Sequence, residues 1–468
     1  MGKILGGYLF PHPPIIIHEI GQGEEIKATK TIEGVKYLAK DIKNKAPKTI
    51  VVITPHGPLF TDAISISIEK ELKGDFLKFG NYELKFKVEN NLELAYKIIR
   101  NALKENIMMA QVNEELAKDY NIELNLDHGT LVPLYFVDKE YKDFKLIHIT
   151  YGLLSPRDLY RFGKCIKDAI GEVDDDVVII ASGDLSHKLS DEGPYTYSPY
   201  GKEYDNKIIE VLRSGDMEKI VNFDLGLAER ARECGLRSMM IMAGTLDKAN
   251  LKTEVLSYEG PFGVGYGTAK VDIIGYNDED ILDKIKAEEK RKITAIREKE
   301  DQFVRLARSS LEYYLKNERY MNMPENLGEE LLNERKAVFV TLKKNGMLRG
   351  CIGSTEPREK NIATEIIKYA VYAGTRDPRF ERVDLNELEE LVYSVDVLSE
   401  PEPINNKNEL DAERYGVIVT KGTRSGLLLP NIEGVDSVDE QVRIALGKAG
   451  IRDNESYSME RFEVIRHH

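Results

Sequence analysis

The chain has 468 residues, more than one hydrophobic core holds, so two domains are expected. With 66 basic against 80 acidic side chains its net charge is −14, which weighs against a general nucleic-acid binder and against a polybasic membrane anchor, both of which need a basic face. It has no run of about 18 apolar residues, so no membrane span is expected.

In chain order, Ile4–Leu9 reads as a short buried strand ending at Pro11-His12-Pro13-Pro14. Residues 24–45 carry helical periodicity, with Ile32, Val35, Leu38 and Ile42 on one face. Thr49–Thr54 is a continuous apolar and β-branched run closed by Pro55-His56-Gly57-Pro58, and a run without alternation marks a strand covered on both faces. Residues 92–105 and 156–171 read as helices and Leu146–Thr150 as a strand. Asp176–Ala181 is a second buried strand, running into Ser182-Gly183-Asp184-Leu185-Ser186-His187. Helices are expected at 204–213 and 234–246, followed by a strand pair around Tyr258–Gly267. Within that pair, Gly263-Val264-Gly265-Tyr266-Gly267 reads as a tight turn or a close backbone approach. It lacks the strand-loop-helix setting of a phosphate loop.

The charge-dense stretch from 276 to 303 suits an exposed linker helix. Beyond it, strand-like runs at Ala337–Thr341, Val392–Leu398 and Tyr415–Thr420 join helices near 362–373 and 437–449. The expected organisation is an α/β domain with a central mixed sheet over residues 1–275, a linker helix over 276–300, and a smaller α+β domain over 301–468.

Of eight histidines, His12, His56, His128 and His187 sit beside Pro or Gly or past a strand end, where metal ligation and proton transfer concentrate. His18 and His148 have ordinary surroundings and are expected to be structural. His467 and His468 end the chain and are expected to be disordered. Ser182 or Asp184 would also suit a helix N-cap. Cys165, Cys234 and Cys351 are too far apart for a disulfide framework or a zinc knuckle, which fits a reducing cytoplasm. The opening MGKILGGYLFPHPP has no signal-peptide pattern.

The order of proline-flanked His12, Pro55-His56-Gly57-Pro58, Leu126-Asp127-His128-Gly129-Thr130, Ser182–His187 and Tyr258-Glu259-Gly260-Pro261 resembles the type III extradiol dioxygenases, with the MEMO family as a relative. The likeness covers residues 4–272. It implies a metal, Fe(II) first and Zn(II) or another divalent ion next, held by His12, His56 and Glu259, with Glu254 the nearest rival. It implies His187 as acid and base, His128 as a donor to substrate or bound oxygen, and Asp184 and Asp127 as acceptors that orient these rings. The implied substrate is a small catechol-like aromatic. MEMO-type proteins carry a cysteine near the third-ligand position. None stands near Glu259, so the dioxygenase branch is the expected one.

In the second half, Met347-Leu348-Arg349-Gly350-Cys351-Ile352-Gly353-Ser354, Thr375-Arg376-Asp377-Pro378-Arg379-Phe380 and Gly426-Leu427-Leu428-Leu429-Pro430 resemble the AMMECR domain over residues 300–466. That likeness implies a groove at Arg349, Cys351, Arg376 and Asp377 for substrate or partner docking. Cys351 beside Arg349 could be an activated thiolate. With no histidine in this half before His467 to act as base, a small buried apolar role is favoured. The two domains together resemble the fused component of the AmmeMemoRadiSam system, which implies a separate radical S-adenosylmethionine protein as partner. The alternative function is therefore a metal-binding component of such a modification system without oxygen chemistry. A homodimer fits the commonest closed symmetry.

Overall fold

The unalternating runs become the middle of one sheet. The structure, a computed structural model, describes residues 1–344, 346–432, 435 and 437–468. The chain divides into two units, Met1–Lys286 and Ala287–His468. The first contains β1 (Ile4–Phe10), β2 (Thr49–Thr54), β3 (Ile64–Ser67), β4 (Glu71–Asp75), β5 (Lys85–Glu89), β6 (Met109–Val112), β7 (Lys145–Thr150), β8 (Val177–Ser182), β9 (Ala249–Glu259) and β10 (Tyr266–Tyr276). Eight of these form a mixed sheet in the order β6-β3-β7-β2-β8-β1-β10-β9, and β4 pairs with β5 apart from it. Strands β7, β2, β8 and β1 run parallel. β3 and β10 run antiparallel to β7 and β1.

Every residue of β2 and β8 is buried, because helices cover both faces. One face packs Val51, Ile53, Ile147 and Ile179 with side chains of helices Leu92–Lys104, Pro156–Gly171 and Leu236–Thr245. The other packs Ile50, Val52, Val178 and Ile180 with helices Thr29–Lys45 and His128–Glu140. Each buried aliphatic side chain contributes roughly 1.5–3 kcal/mol.

Alternation along the strands then decides where the polar groups go. On the second face, beyond its apolar residues, stand Thr54 on β2, His148 and Thr150 on β7 and Ser182 on β8, all buried. The antiparallel register of β3 on β7 brings Ser67 onto His148. The helix opened by His128 was not announced by periodicity. Gly129 to Val137 are all buried, so no polar stripe marks it, and Pro133 lies inside it.

The second unit contains β11 (Val338–Lys344), β12 (Met347–Gly353), β13 (Leu391–Leu398), β14 (Glu402–Ile404), β15 (Tyr415–Lys421), β16 (Arg424–Leu428) and β17 (Ser458–His467). Their order is β12-β11-β13-β17-β15-β16, with β14 paired to β17. Helices Gln302–Asn317 and Ile362–Thr375 share a core with Val340, Leu342 and Val395. Helix Val438–Ala449 packs on Val417 and Val419. The charge-dense stretch forms helix Ile281–Lys299. His467 is ordered, against expectation. It pairs with Val395, its ring stacks on Phe303 at 3.9 Å between centroids, and its Nδ1 meets the Asp301 carboxylate. Among the described residues no helix is long and apolar enough to cross a membrane.

A strap fixes the segment after helix Ile362–Thr375. The Arg349 guanidinium donates to both Glu387 carboxylate oxygens, at 2.9 and 2.8 Å, and to the carbonyl of Glu381. Burial alone would raise the Glu387 carboxyl, but Arg349, the Asp384 amide and Lys344 outweigh it and hold it down at about 2. The carboxylate therefore contributes stability above its ordinary range near pH 4.5 and loses it as pH falls towards 2. Arg349→Met is expected to cost the second unit about 1–3 kcal/mol at pH 7 and much less at pH 3. Urea titrations at the two pH values read the difference.

Candidate metal centre

His12 follows β1 and is 1% exposed. Its backbone N–H donates to Asp184 Oδ1 at 2.9 Å, and its Nδ1 lies 2.9 Å from Ser182 Oγ. The Ser182 hydroxyl hydrogen is already committed to the carbonyl of Gly129. Ser182 Oγ must therefore accept from His12, which places the His12 proton on Nδ1 and leaves Nε2 with a lone pair. That lone pair faces His56 Nε2 at 3.0 Å and Cys234 Sγ at 3.6 Å.

His56 follows β2, and its backbone N–H donates to Thr54 Oγ1 at 3.3 Å. Thr54 in turn donates to Asp127 Oδ1 at 2.6 Å. Asp127 immediately precedes the helix that begins at His128, and its carboxylate is tied to that helix's first turn through the Thr130 hydroxyl, which donates to Oδ2 at 3.2 Å. The His128 ring stacks on His56 at 4.3 Å and 20°. One nitrogen from each of His12, His56 and His128 can be chosen so that all three lie within 4.8 Å of one another. Gly129 is required at this point. A Cβ there would stand 2.3 Å from Thr54 Oγ1 and 2.8 Å from Asp127 Oδ1.

The segment from Gly183 to His187 forms no helix, so the capping role expected of Ser182 or Asp184 is not the one they play. It is clamped from two sides. The amide of Leu185 donates to the Gly265 carbonyl and that of His187 to the Ala231 carbonyl. The glycine-rich turn between β9 and β10 is thus the close backbone approach anticipated, with Gly263 at φ +74°. His187 is half-buried, its ring T-shaped against Tyr195 at 6.3 Å between centroids, and its Nδ1 is buried without a hydrogen-bond partner.

Two expectations need correction. Glu259 does not join the histidines. Its carboxylate accepts from the Thr31 amide at 2.6 Å and the Thr31 hydroxyl at 2.7 Å, closing the first turn of helix Thr29–Lys45. Its rival Glu254 is half exposed beside Lys270. The nearest carboxylate is Asp184, whose Oδ2 lies 3.9 Å from His12 Nε2. The pocket also does contain a cysteine. Cys234 comes from a turn far from Glu259 in sequence, brought in where Gly183 packs against Gly235 so closely that an added Cβ would meet the Gly235 Cα at 2.0 Å. His148, expected to be merely structural, bonds Asp127 Oδ2 through Nε2 at 2.9 Å.

The electrostatics follow from burial. Burial, reinforced by the neighbouring rings, holds His12 well below the usual imidazole range, and burial with His128 beside it brings His56 down to about 4. Burial also lowers His128 and His187, and it pushes the Asp184 carboxyl up to about 7 and the Cys234 thiol well up. The imidazoles are neutral at pH 7, the form in which they donate to a cation. Asp127 behaves in the opposite way. Burial would raise it, but hydrogen bonds from His148 and Thr54 hold it at about 2. The donor set fits a divalent transition metal: a lone pair on His12 Nε2, a second imidazole nitrogen 3.0 Å away, a third on His128 within 4.8 Å of both and a thiol sulfur 3.6 Å from His12 Nε2.

In the second unit, Cys351 and Asp377 do meet, the Cys351 amide donating to Asp377 Oδ2 at 2.9 Å. Arg379 completes that pair, reaching Asp377 Oδ2 at 2.7 Å and the Cys351 carbonyl at 3.2 Å. The Cys351 thiol accepts from Thr341 Oγ1 at 3.2 Å, and burial pushes it up, so it is not an activated thiolate. Arg349 is engaged by Glu387, and Arg376 lies over the Tyr372 ring at 4.4 Å.

Comparison with known proteins agrees with this division. Residues 6–269 match the family model of the catalytic LigB subunit of aromatic ring-opening dioxygenase, and residues 304–467 match that of AMMECR1. Protein CA_C1420 of Clostridium acetobutylicum is 45% identical over 99% of this chain and 98% of its own length. A protein of Thermotoga maritima is 47% identical over 36% of this chain and 98% of its own. Among solved structures, the uncharacterized protein PH0010 from Pyrococcus horikoshii is 35% identical, covers 35% of this chain and 88% of its own, and has a TM-score of 0.34.

Proposed function

The chain belongs to the LigB family, with an AMMECR1 domain after the LigB domain, and from that premise we propose that its first unit is an Fe(II)-dependent protein acting on a small aromatic diol. The observation that carries this reading is the fixed tautomer of His12, which turns a lone pair towards His56 Nε2 and Cys234 Sγ. His12, His56 and His128 would hold the ion, with Cys234 as a further donor on the His12 side and Asp184 at the margin. A bound divalent metal would supply Lewis-acid activation of a diol hydroxyl and of dioxygen. His187, neutral at pH 7 and with a free ring nitrogen, accepts the phenolic proton and returns it later. Phe79, T-shaped with His128, and Tyr195, T-shaped with His187, give an aromatic rim suited to a flat ring.

Cys234 favours a second reading, because a thiol at this position is the mark of the MEMO branch. There the unit is a metal-binding component of a modification system whose radical chemistry comes from a separate cluster-binding protein. Oxygen uptake separates the two. Iron-loaded protein is expected to consume oxygen with catechol, and His187→Ala to lower the rate by roughly 10²–10⁴-fold. Metal-loaded protein that stays silent across a panel of aromatic diols would overturn the first reading. Failure to bind a radical S-adenosylmethionine protein would overturn the second.

A further inference from the structure

Behind the histidines lies a chain of buried polar groups that the proposed chemistry does not use. Ser67 Oγ stands 2.8 Å from His148 Nδ1, and His148 Nε2 stands 2.9 Å from Asp127 Oδ2. Asp127 also accepts from Thr54 Oγ1 at 2.6 Å and Thr130 Oγ1 at 3.2 Å. Thr54 Oγ1 in turn accepts the backbone N–H of His56. Ser67, His148 and Thr54 are at most 6% exposed. The chain joins β3, β7, β2 and the first turn of the His128 helix, elements far apart in sequence.

Each bond has a defined sense. A carboxylate can only accept, so His148 donates through Nε2. With the proton on Nε2, Nδ1 is the ring atom left to take the Ser67 hydroxyl hydrogen. Ser67 thereby selects the tautomer that His148 needs to reach Asp127. Asp127 in turn ties down Thr54, the acceptor for His56, and, through the Thr130 hydroxyl, the first turn of the helix that carries His128. Gly57, next to His56, leaves no slack. A Cβ there would be 2.1 Å from Thr150 Oγ1 and 3.2 Å from His148 Cε1.

We propose that Ser67 and His148 are positioning residues for the metal centre, setting through Asp127 the places of both His56 and His128. The connectivity is also that of a nucleophilic serine triad. Here, however, Ser67 Oγ is buried and its hydrogen is held by a ring whose other nitrogen is turned to a buried aspartate, so it acts as a prop and not as an attacking group.

The assignment rests on the metal reading above, and the test keeps the two apart. Co(II) is titrated into the full chain and into His148→Ala, His148→Gln, Ser67→Ala and Ser67→Thr, following the visible d–d spectrum and the dissociation constant, with the melting temperature of each metal-free protein measured alongside. Loss of an outer hydrogen-bond partner typically weakens metal binding about 10–100-fold. His148→Ala is expected to fall in that range with a changed spectrum, Ser67→Ala to weaken binding less, and Ser67→Thr, which keeps the hydroxyl, to restore it. His148→Gln, which keeps one donor towards Asp127, should sit between. If wild type binds Co(II) and the variants bind with the same constant and spectrum, the positioning role is overturned, whatever their melting temperatures do. If wild type does not bind Co(II), the metal reading falls and takes this assignment with it. Should His148→Ala fail to fold, the serine pair decides alone. Covalent labelling of Ser67 by a fluorophosphonate would also overturn the role.

Discussion

His12→Ala is expected to leave the protein without metal, while Glu259→Gln retains a full complement. His12 is the residue on which the pocket converges. Its Nε2 faces His56 and Cys234, and its other nitrogen is anchored through Ser182 to the backbone of the His128 helix. Removing the ring eliminates a ligand and frees its anchor together, so affinity should fall well beyond the ~10–100-fold typical of losing an outer partner. Glu259 instead holds the amide and hydroxyl of Thr31. Its replacement should cost about 1 kcal/mol of stability, as lost helix caps do, with metal content unchanged. Elemental analysis of the two variants, purified anaerobically and melted side by side, gives opposite patterns under the two assignments. Metal-free Glu259→Gln beside metal-loaded His12→Ala would restore the glutamate as a ligand.

Gly183→Ala should be among the most damaging single methyl groups in the first unit. The new carbon would stand 2.0 Å from the Gly235 Cα, a backbone atom that cannot rotate away. One consequence is energetic, a loss of about 3 kcal/mol or more, at the upper end of overpacking costs. The other is local. The Cys234 amide donates to the Asp184 carbonyl, and the Asp184 amide is 3.3 Å from Cys234 Sγ. Pushing the two segments apart should withdraw the thiol from the pocket. Cobalt-loaded Gly183→Ala is then expected to lose its sulfur-to-metal charge-transfer absorption even where it folds. Gly171→Ala makes the matched control, since nothing lies within 4 Å of its added carbon. Equal melting temperatures for the two variants would show that the glycine contact does not set the geometry.

The parts of this site that could be read from the sequence are those whose position is written locally. His12 and His56 each follow a buried strand and are bounded by proline, so the parallel strands carry both to one end of the sheet. His187 is legible for the same reason, past the end of β8. Cys234 was not. It lies in a turn between two helices with no local mark of chemistry, and only the glycine contact with the end of β8 brings it in. Glu259 misled because its neighbourhood, not its reach, drew notice. Near the end of β9 it points at a helix start. His148 was overlooked because a histidine inside an apolar strand is usually a satisfied core residue. It is one here, and what matters is the partner that satisfies it. The His128 helix was hidden by being buried on every side, which erases the period that announces a helix.

The place of β1 in the sheet bears on how the protein is made. β1 lies between β8 and β10, whose residues are synthesised some 170 and 260 positions after its own. At elongation rates of about 5–20 residues per second that is an interval on the order of tens of seconds. Through it the sequence Ile4-Leu5-Gly6-Gly7-Tyr8-Leu9-Phe10, which ends up with all but Leu5 buried, has neither of its strand partners. Folding of the first unit is therefore dominated by long-range pairing and is intrinsically slow. His12, first of the pocket residues to be translated, reaches Ser182 and Cys234 only when that central strand is inserted. Assembly of the pocket is thus a late event in the life of the nascent chain, and an unpaired, aggregation-prone strand is the hazard that goes with it.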